Sequence, residues 1–146
     1  MKRYILNTVF LFILLFVFAG SACAQDVSAK IDIILASETS SYIDSRLIDV
    51  RNQLQKIFRF SSYELYESKN VSLVMGQERA VSLPAGKTLL LKPLYYQENM
   101  VVIQAKITDG KRLVVDTQFR VSSGGSFFIG GPKTGSGVII LKVTAL

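Results

Sequence analysis

The chain of 146 residues contains no histidine and one cysteine, Cys23. Acid–base chemistry near neutral pH usually falls to imidazole, and soft metal sites to thiolate and imidazole. Composition therefore excludes histidine metal sites, a Cys-His nucleophile and a Ser-His-Asp triad, and a lone cysteine excludes an intramolecular disulfide. Carboxylates and tyrosines remain. Glu64, Glu67, Asp109 and Asp116 are the carboxylates available for paired general acid and base work. Asp109 belongs to an Asp-Gly turn, and the others stand at alternating positions of apolar segments, where a solvated charge is ordinary. Tyr63, Tyr66, Tyr95 and Tyr96 could stack on a sugar, and these four are the candidate binding residues; Phe58 and Phe60 adjoin an apolar helical stripe and are expected in the core. We expect no catalytic residues, no metal and no cofactor.

Two Gly/Lys/Thr stretches invite a phosphate or acyl-transfer reading. Gly86-Lys87-Thr88 has the end of a phosphate-binding loop, but that motif needs a glycine five positions earlier and a helix directly after it. Here Val81 occupies the earlier position and "LLLKPL" follows, with Pro93 inside it. Lys133-Thr134-Gly135 matches the K-T-G element of penicillin-binding proteins and serine β-lactamases, with Ser68-Lys69-Asn70 as an S-x-N. That chemistry depends on a nucleophilic Ser-x-x-Lys, and no serine here has a lysine three positions on. Turn chemistry accounts for the glycines instead. Gly86, Gly110, Gly130 and Gly131 are expected to be structural, at corners that need positive φ or close backbone approach. The segment "GGSFFIGG" is also similar, over about ten residues, to the hydrophobic Gly-Gly signature in the β-domain of secretins. That resemblance implies a small envelope protein with a related β-motif, and it carries over only Gly130 and Gly131.

The N-terminal "MKRYILNTVFLFILLFVFAGSACAQ" places Lys2 and Arg3 before an apolar run that ends in the small residues Ala22-Cys23-Ala24. This order resembles a bacterial secretory signal peptide over 1–24, leaving a single domain over 25–146. The expected location is the periplasm or the outer-membrane periphery. "AGSAC" also resembles a lipobox, with Gly20 where that family carries a branched aliphatic; it implies lipidation at Cys23 as the alternative. Membrane contact is expected only through that lipid or an uncleaved leader. The formal net charge is +6, with two of the positive charges on Lys2 and Arg3 and the rest scattered, so nucleic acid is not an expected partner. The expected function is that of an exported non-enzymatic binding or assembly component of the cell envelope. Its partner is an envelope protein, at an outer-membrane or secretion complex; the alternative is a carbohydrate or peptidoglycan module using the tyrosines.

The elements that must position these residues are mostly strands. "KIDIIL" alternates as a strand with Ile31, Ile33 and Leu35 on one face. Ile43, Leu47, Val50, Leu54 and Ile57 recur at helical spacing, with Asp44 as N-cap. "SSYELYES" and "VSLVM" read as two further strands, and "LPAG" as a type I turn. Pro93 marks an edge or a bulge. Between "NMVVIQAKI" and "RLVVDTQFRV", opposing the apolar rows suggests a three-residue loop, Thr108-Asp109-Gly110. That loop would make Gly110 left-handed and set Ala105 opposite Leu113. Val138 to Leu141 is apolar on both faces, so that strand is either central or an edge completed by a partner chain. The expected fold is α+β, mostly β: an N-terminal strand and one amphipathic helix packed with an antiparallel β-sandwich or partial barrel.

Overall fold

A computed structural model of the chain describes residues 25–146; residues 1–24, expected from the sequence to be a leader, and both processing readings of Cys23 lie outside the described residues. Eight strands form two antiparallel four-stranded sheets. They are β1 (Asp26–Ser37), β2 (Ser62–Val74), β3 (Arg79–Ser82), β4 (Lys87–Gln97), β5 (Met100–Asp109), β6 (Arg112–Ser122), β7 (Ser126–Thr134) and β8 (Gly137–Ala145). Sheet A has the order β2-β1-β8-β7 and sheet B the order β3-β4-β5-β6. A 3₁₀ helix, Ser45–Val50, runs directly into α1 (Arg51–Phe58), the single α-helix among the described residues. The α+β, mostly β architecture expected from the sequence is therefore the one observed, in sandwich form.

Alternation explains most of the packing. Ile31 and Ile33 of β1 meet Leu89, Leu91, Ile103 and Ile107 of sheet B in the core between the sheets. The other face of β1 contributes Ile34 and Ala36 to a second cluster beneath the helical segment, together with Leu47, Leu54, Tyr63 and Ile140. β1 around residues 33–36 and β8 around residues 139–141 are apolar on both faces because both faces are covered there. β8 lies between β1 and β7, so the terminal strand is central and needs no partner chain. Gly130 and Gly131 are sites of close approach. A Cβ on Gly130 would lie 3.2 Å from the ring of Phe58, and one on Gly131 2.9 Å from the Ile139 carbonyl oxygen. The Gly-Gly pair thus lets an α1 aromatic and the neighbouring strand come close.

Several local expectations are corrected. The helical stripe runs Leu47, Val50, Leu54, Phe58, and Ile57 is exposed. Phe58, the last residue of α1, lies over Gly130 of β7 and takes the core place expected of Ile57. "SSYELYES" and "VSLVM" are one strand, interrupted by a bulge at Tyr66, since Leu65 pairs with Ile34 and Glu67 with Ile33. In the LPAG turn Ala85 as well as Gly86 has positive φ, which a type I turn does not allow. Pro93 does sit at a bulge, between its pairing with Ile103 and that of Tyr95 with Val102.

The β5–β6 hairpin closes through Gly110-Lys111, with Asp109 opposite Arg112, so the three-residue loop is not formed. Gly110 is left-handed as expected. Ala105 faces Thr117 rather than Leu113, and Ile107 faces Val115. The reason is a bulge at Val114, which turns both Val114 and Val115 onto the core and leaves Leu113 exposed. A reading that assumed unbroken alternation from Leu113 to Phe119 could not see it.

The free edge of β2 is closed by the chain itself at its first turn of pairing, Tyr63 to Leu65. Ile43 bridges Tyr63 in parallel, the Tyr63 N–H donates to the Tyr42 carbonyl and the Asp44 N–H to the Tyr63 carbonyl, both at 2.9 Å. One step further the side chains take over: the Leu65 N–H donates to the Asp44 carboxylate at 3.3 Å, and the Arg46 guanidinium donates to the Leu65 carbonyl at 2.9 Å. Lys69, opposite Ile31 and so turned to the inner face, donates to the Ser82 carbonyl on β3 at 3.0 Å. An inward charge and occupied edge groups are recognised means of preventing strand addition.

Candidate functional site

The four tyrosines do not form one platform. Tyr63 is fully buried; its hydroxyl donates to the Leu54 carbonyl at 3.1 Å and accepts from the Phe60 N–H at 3.0 Å. Burial raises its pKa, and its ring is not available to a ligand. This corrects the binding role expected for Tyr63: opposite Ala36, it falls on the face of sheet A that the helical segment covers. Tyr66 is exposed at the β2 bulge of sheet A, whereas Tyr95 and Tyr96 are exposed on β4 of sheet B. Tyr96 pairs with the core residue Val101 and Tyr95 with Val102, so those two rings leave opposite faces of the sheet.

The candidate carboxylates are likewise dispersed. Glu64 and Glu67 lie on β2, Asp109 ends β5, and Asp116 stands on β6. Glu67 pairs with Lys69 at 3.2 Å; Asp109 meets Lys87 at 3.6 Å and Arg112 at 3.7 Å; Asp116 accepts from Gln104 at 3.1 Å. Asp44, the expected N-cap, caps the 3₁₀ helix through the Arg46 N–H at 3.0 Å and binds the Arg46 guanidinium at 2.6 and 3.0 Å. These hydrogen bonds, with the Leu65 N–H, hold the Asp44 carboxyl far below the usual carboxylate range, and in turn raise the pKa of Arg46. Among the described residues no group of three or more acidic or thiol side chains is placed to hold a metal ion.

One arrangement does collect charge in a recess. On the outer face of sheet A, register sets Ser68, Asp32 and Lys142 side by side across three strands. The next row towards the N-terminus of β1 is Asn70, Lys30 and Thr144, and the row beyond Asp32 in the other direction is Leu65, Ile34 and Ile140. The helical segment covers the apolar rows and stops at the polar ones. A cavity of about 450 Å³ lies at that step, with Arg46, Leu47, Asp49 and Val50 as its wall and Lys30, Asp32, Ser68 and Lys142 as its floor. Asp32 is 5% exposed. Its carboxylate accepts from the Ser68 hydroxyl at 2.6 Å and lies 3.5 Å from the Lys30 ammonium and 3.6 Å from that of Lys142. A buried carboxylate requires such partners.

None of these recess residues was singled out from the sequence. The available signal was a lone charge inside an otherwise apolar strand, Asp32 in "KIDIIL" and Lys142 in "VIILKVTAL"; only the pairing of β1 with β8 puts the two together. Compared with known proteins, the chain matches no family model, no curated protein and no solved structure.

Proposed function

We propose that the protein is an exported, non-enzymatic component of the cell envelope that works by binding an envelope protein, as an accessory to an outer-membrane or secretion complex. The observation that carries this reading is the outward face of the helical segment. Ile48 and Ile57 are 59% and 55% exposed, and Tyr42, just before the segment, is 57% exposed. Exposed aliphatic side chains on a segment whose other face packs on sheet A forgo burial of about 1.5–3 kcal/mol for each large side chain, which a protein partner covering this face would recover. The leader over 1–24 supports export, and a cleaved terminus at Gln25 or an acylated Cys23 would decide how the chain is held. The similarity of "GGSFFIGG" to the secretin β-domain signature supports the same setting.

The test is purification of the tagged protein from cross-linked envelopes, beside an Ile48→Asp/Ile57→Asp variant, with mass spectrometry of partners and of the mature N-terminus. Both positions are exposed, so the variant retains the fold. A stoichiometric envelope partner that is captured by the parent chain and lost by the variant is the expected result. A partner set unchanged by the variant, or none at all, overturns the reading.

A further inference from the structure

We propose that the recess on the outer face of sheet A is a binding site for an organic carboxylate, a carboxylate group carried on a short apolar body. The inference stands apart from the protein-binding role above, since it concerns a different surface and a different class of ligand.

On the floor of the recess the charges are unequal in number, while Asp49 stands on the opposite wall. Two lysine ammoniums face one aspartate carboxylate, and that carboxylate is already hydrogen-bonded to Ser68 at 2.6 Å. An ammonium carries three donors. At 3.5 and 3.6 Å from Asp32, Lys30 and Lys142 make ion pairs longer than a good charge-assisted hydrogen bond, so donor capacity on both is left for another acceptor. The Lys142 side chain is only 18% exposed, which limits the water able to serve as that acceptor. Arg46, on the wall, has its Nε and one terminal nitrogen bound to Asp44 and the Leu65 carbonyl, and its charge is balanced by Asp44. Asp49 on the wall repels an anion from that side, which directs it towards the two lysines.

The remaining lining defines the rest of the ligand. Leu47, Val50 and Leu65 supply an apolar flank directly beside the lysine row. An anion alone would leave that flank wet. A carboxylate with an aliphatic group attached satisfies both halves, and about 450 Å³ accommodates a body of a few carbons. Asp32 holds the two ammoniums apart and oriented; it positions the site without touching the ligand. A free aliphatic acid and the C-terminal residue of a peptide share this chemistry.

The experiment is titration of the purified protein, followed by backbone amide NMR, with three probes: hexanoate, N-acetyl-leucine and N-acetyl-leucinamide. Expected are saturable shifts around Lys30 to Asp32, Leu47 to Val50 and Lys142 with the two carboxylates, and none with the amide. Equal binding of the two acids marks a free-acid site, and preference for N-acetyl-leucine marks a peptide C-terminus. Lys30→Gln, at a half-exposed position that tolerates change, is expected to weaken binding about tenfold. Lys142→Gln should do the same if it folds. Shifts that are absent, equally large with the amide, located elsewhere or unaltered in Lys30→Gln overturn the proposal.

Discussion

Removal of one oxygen atom, in Tyr63→Phe, tests whether Tyr63 is a structural residue. Its hydroxyl ties the end of α1 to sheet A by accepting from the Phe60 N–H at 3.0 Å and donating to the Leu54 carbonyl at 3.1 Å. The Leu54 carbonyl is an interior helical acceptor and keeps its bond within α1. The Phe60 amide is left without this acceptor beside a fully buried ring, which costs about 1–3 kcal/mol. For a domain of this size that is a fall in Tm of about 4 °C per kcal/mol. Urea denaturation should show a lower midpoint with an unchanged slope, as expected when stability alone has changed. Tyr66→Phe, at an exposed bulge position, should stay within about 0.5 kcal/mol of the parent. The pH dependence gives a second readout. Burial raises the folded-state pKa of Tyr63, so its contribution is complete below the ordinary tyrosine value of about 10 and is lost as pH rises through the folded-state value. Tyr63→Phe should lack that alkaline loss. Equal midpoints for Tyr63→Phe and Tyr66→Phe would refute the reasoning.

Other perturbations have equally definite outcomes. Asp44 has a depressed folded-state pKa, so its contribution is present above about pH 4 and lost as pH falls; Asp44→Asn should be destabilised at neutral pH and show a flatter acid limb in denaturation midpoints. Arg59 ends α1 at φ 54, a left-handed conformation that favours glycine, so Arg59→Gly should raise stability by about 0.5–1 kcal/mol in thermal melts. Glu98 and Asn99 form the β4–β5 loop with φ 50 and 63, and Asn-Gly in their place should stabilise by a similar amount, about 0.5–1 kcal/mol. A Cβ on Gly137 would collide with the Ala36 carbonyl oxygen of the paired strand, so Gly137→Ala should cost about 1–3 kcal/mol by urea titration.

The sandwich, its helix, the Asp44 cap and the turn glycines could be read from local chemistry, because period-two alternation, helical spacing and glycine at corners are properties of short windows. The bulge at Leu94 was announced by Pro93, but those at Tyr66 and Val114 escaped, since each inserts a residue without altering composition and then shifts every later side chain to the other face. Tyr63 and Tyr66 look alike in "SSYELYES", and only the parallel contact with Ile43 and the covering helix separates the buried ring from the exposed one. The recess was hidden for a different reason. Its floor is assembled from β1, β2 and β8, so no window of sequence contains it.

β1 pairs with β8 through nine consecutive positions, and the two lie roughly a hundred residues apart along the chain. Until β8 has left the ribosome, β1 has only β2 beside it in sheet A, and the core between the sheets lacks Ile139, Leu141 and Val143. A nascent chain of this topology cannot close early, and contacts of such long sequence separation form slowly, in about milliseconds to seconds. Delay of that kind would leave the polypeptide extended until β8 is available. It also makes β8 the point of failure: a stop codon a few residues into it would remove the central strand of sheet A and expose both neighbours, rather than fray an end.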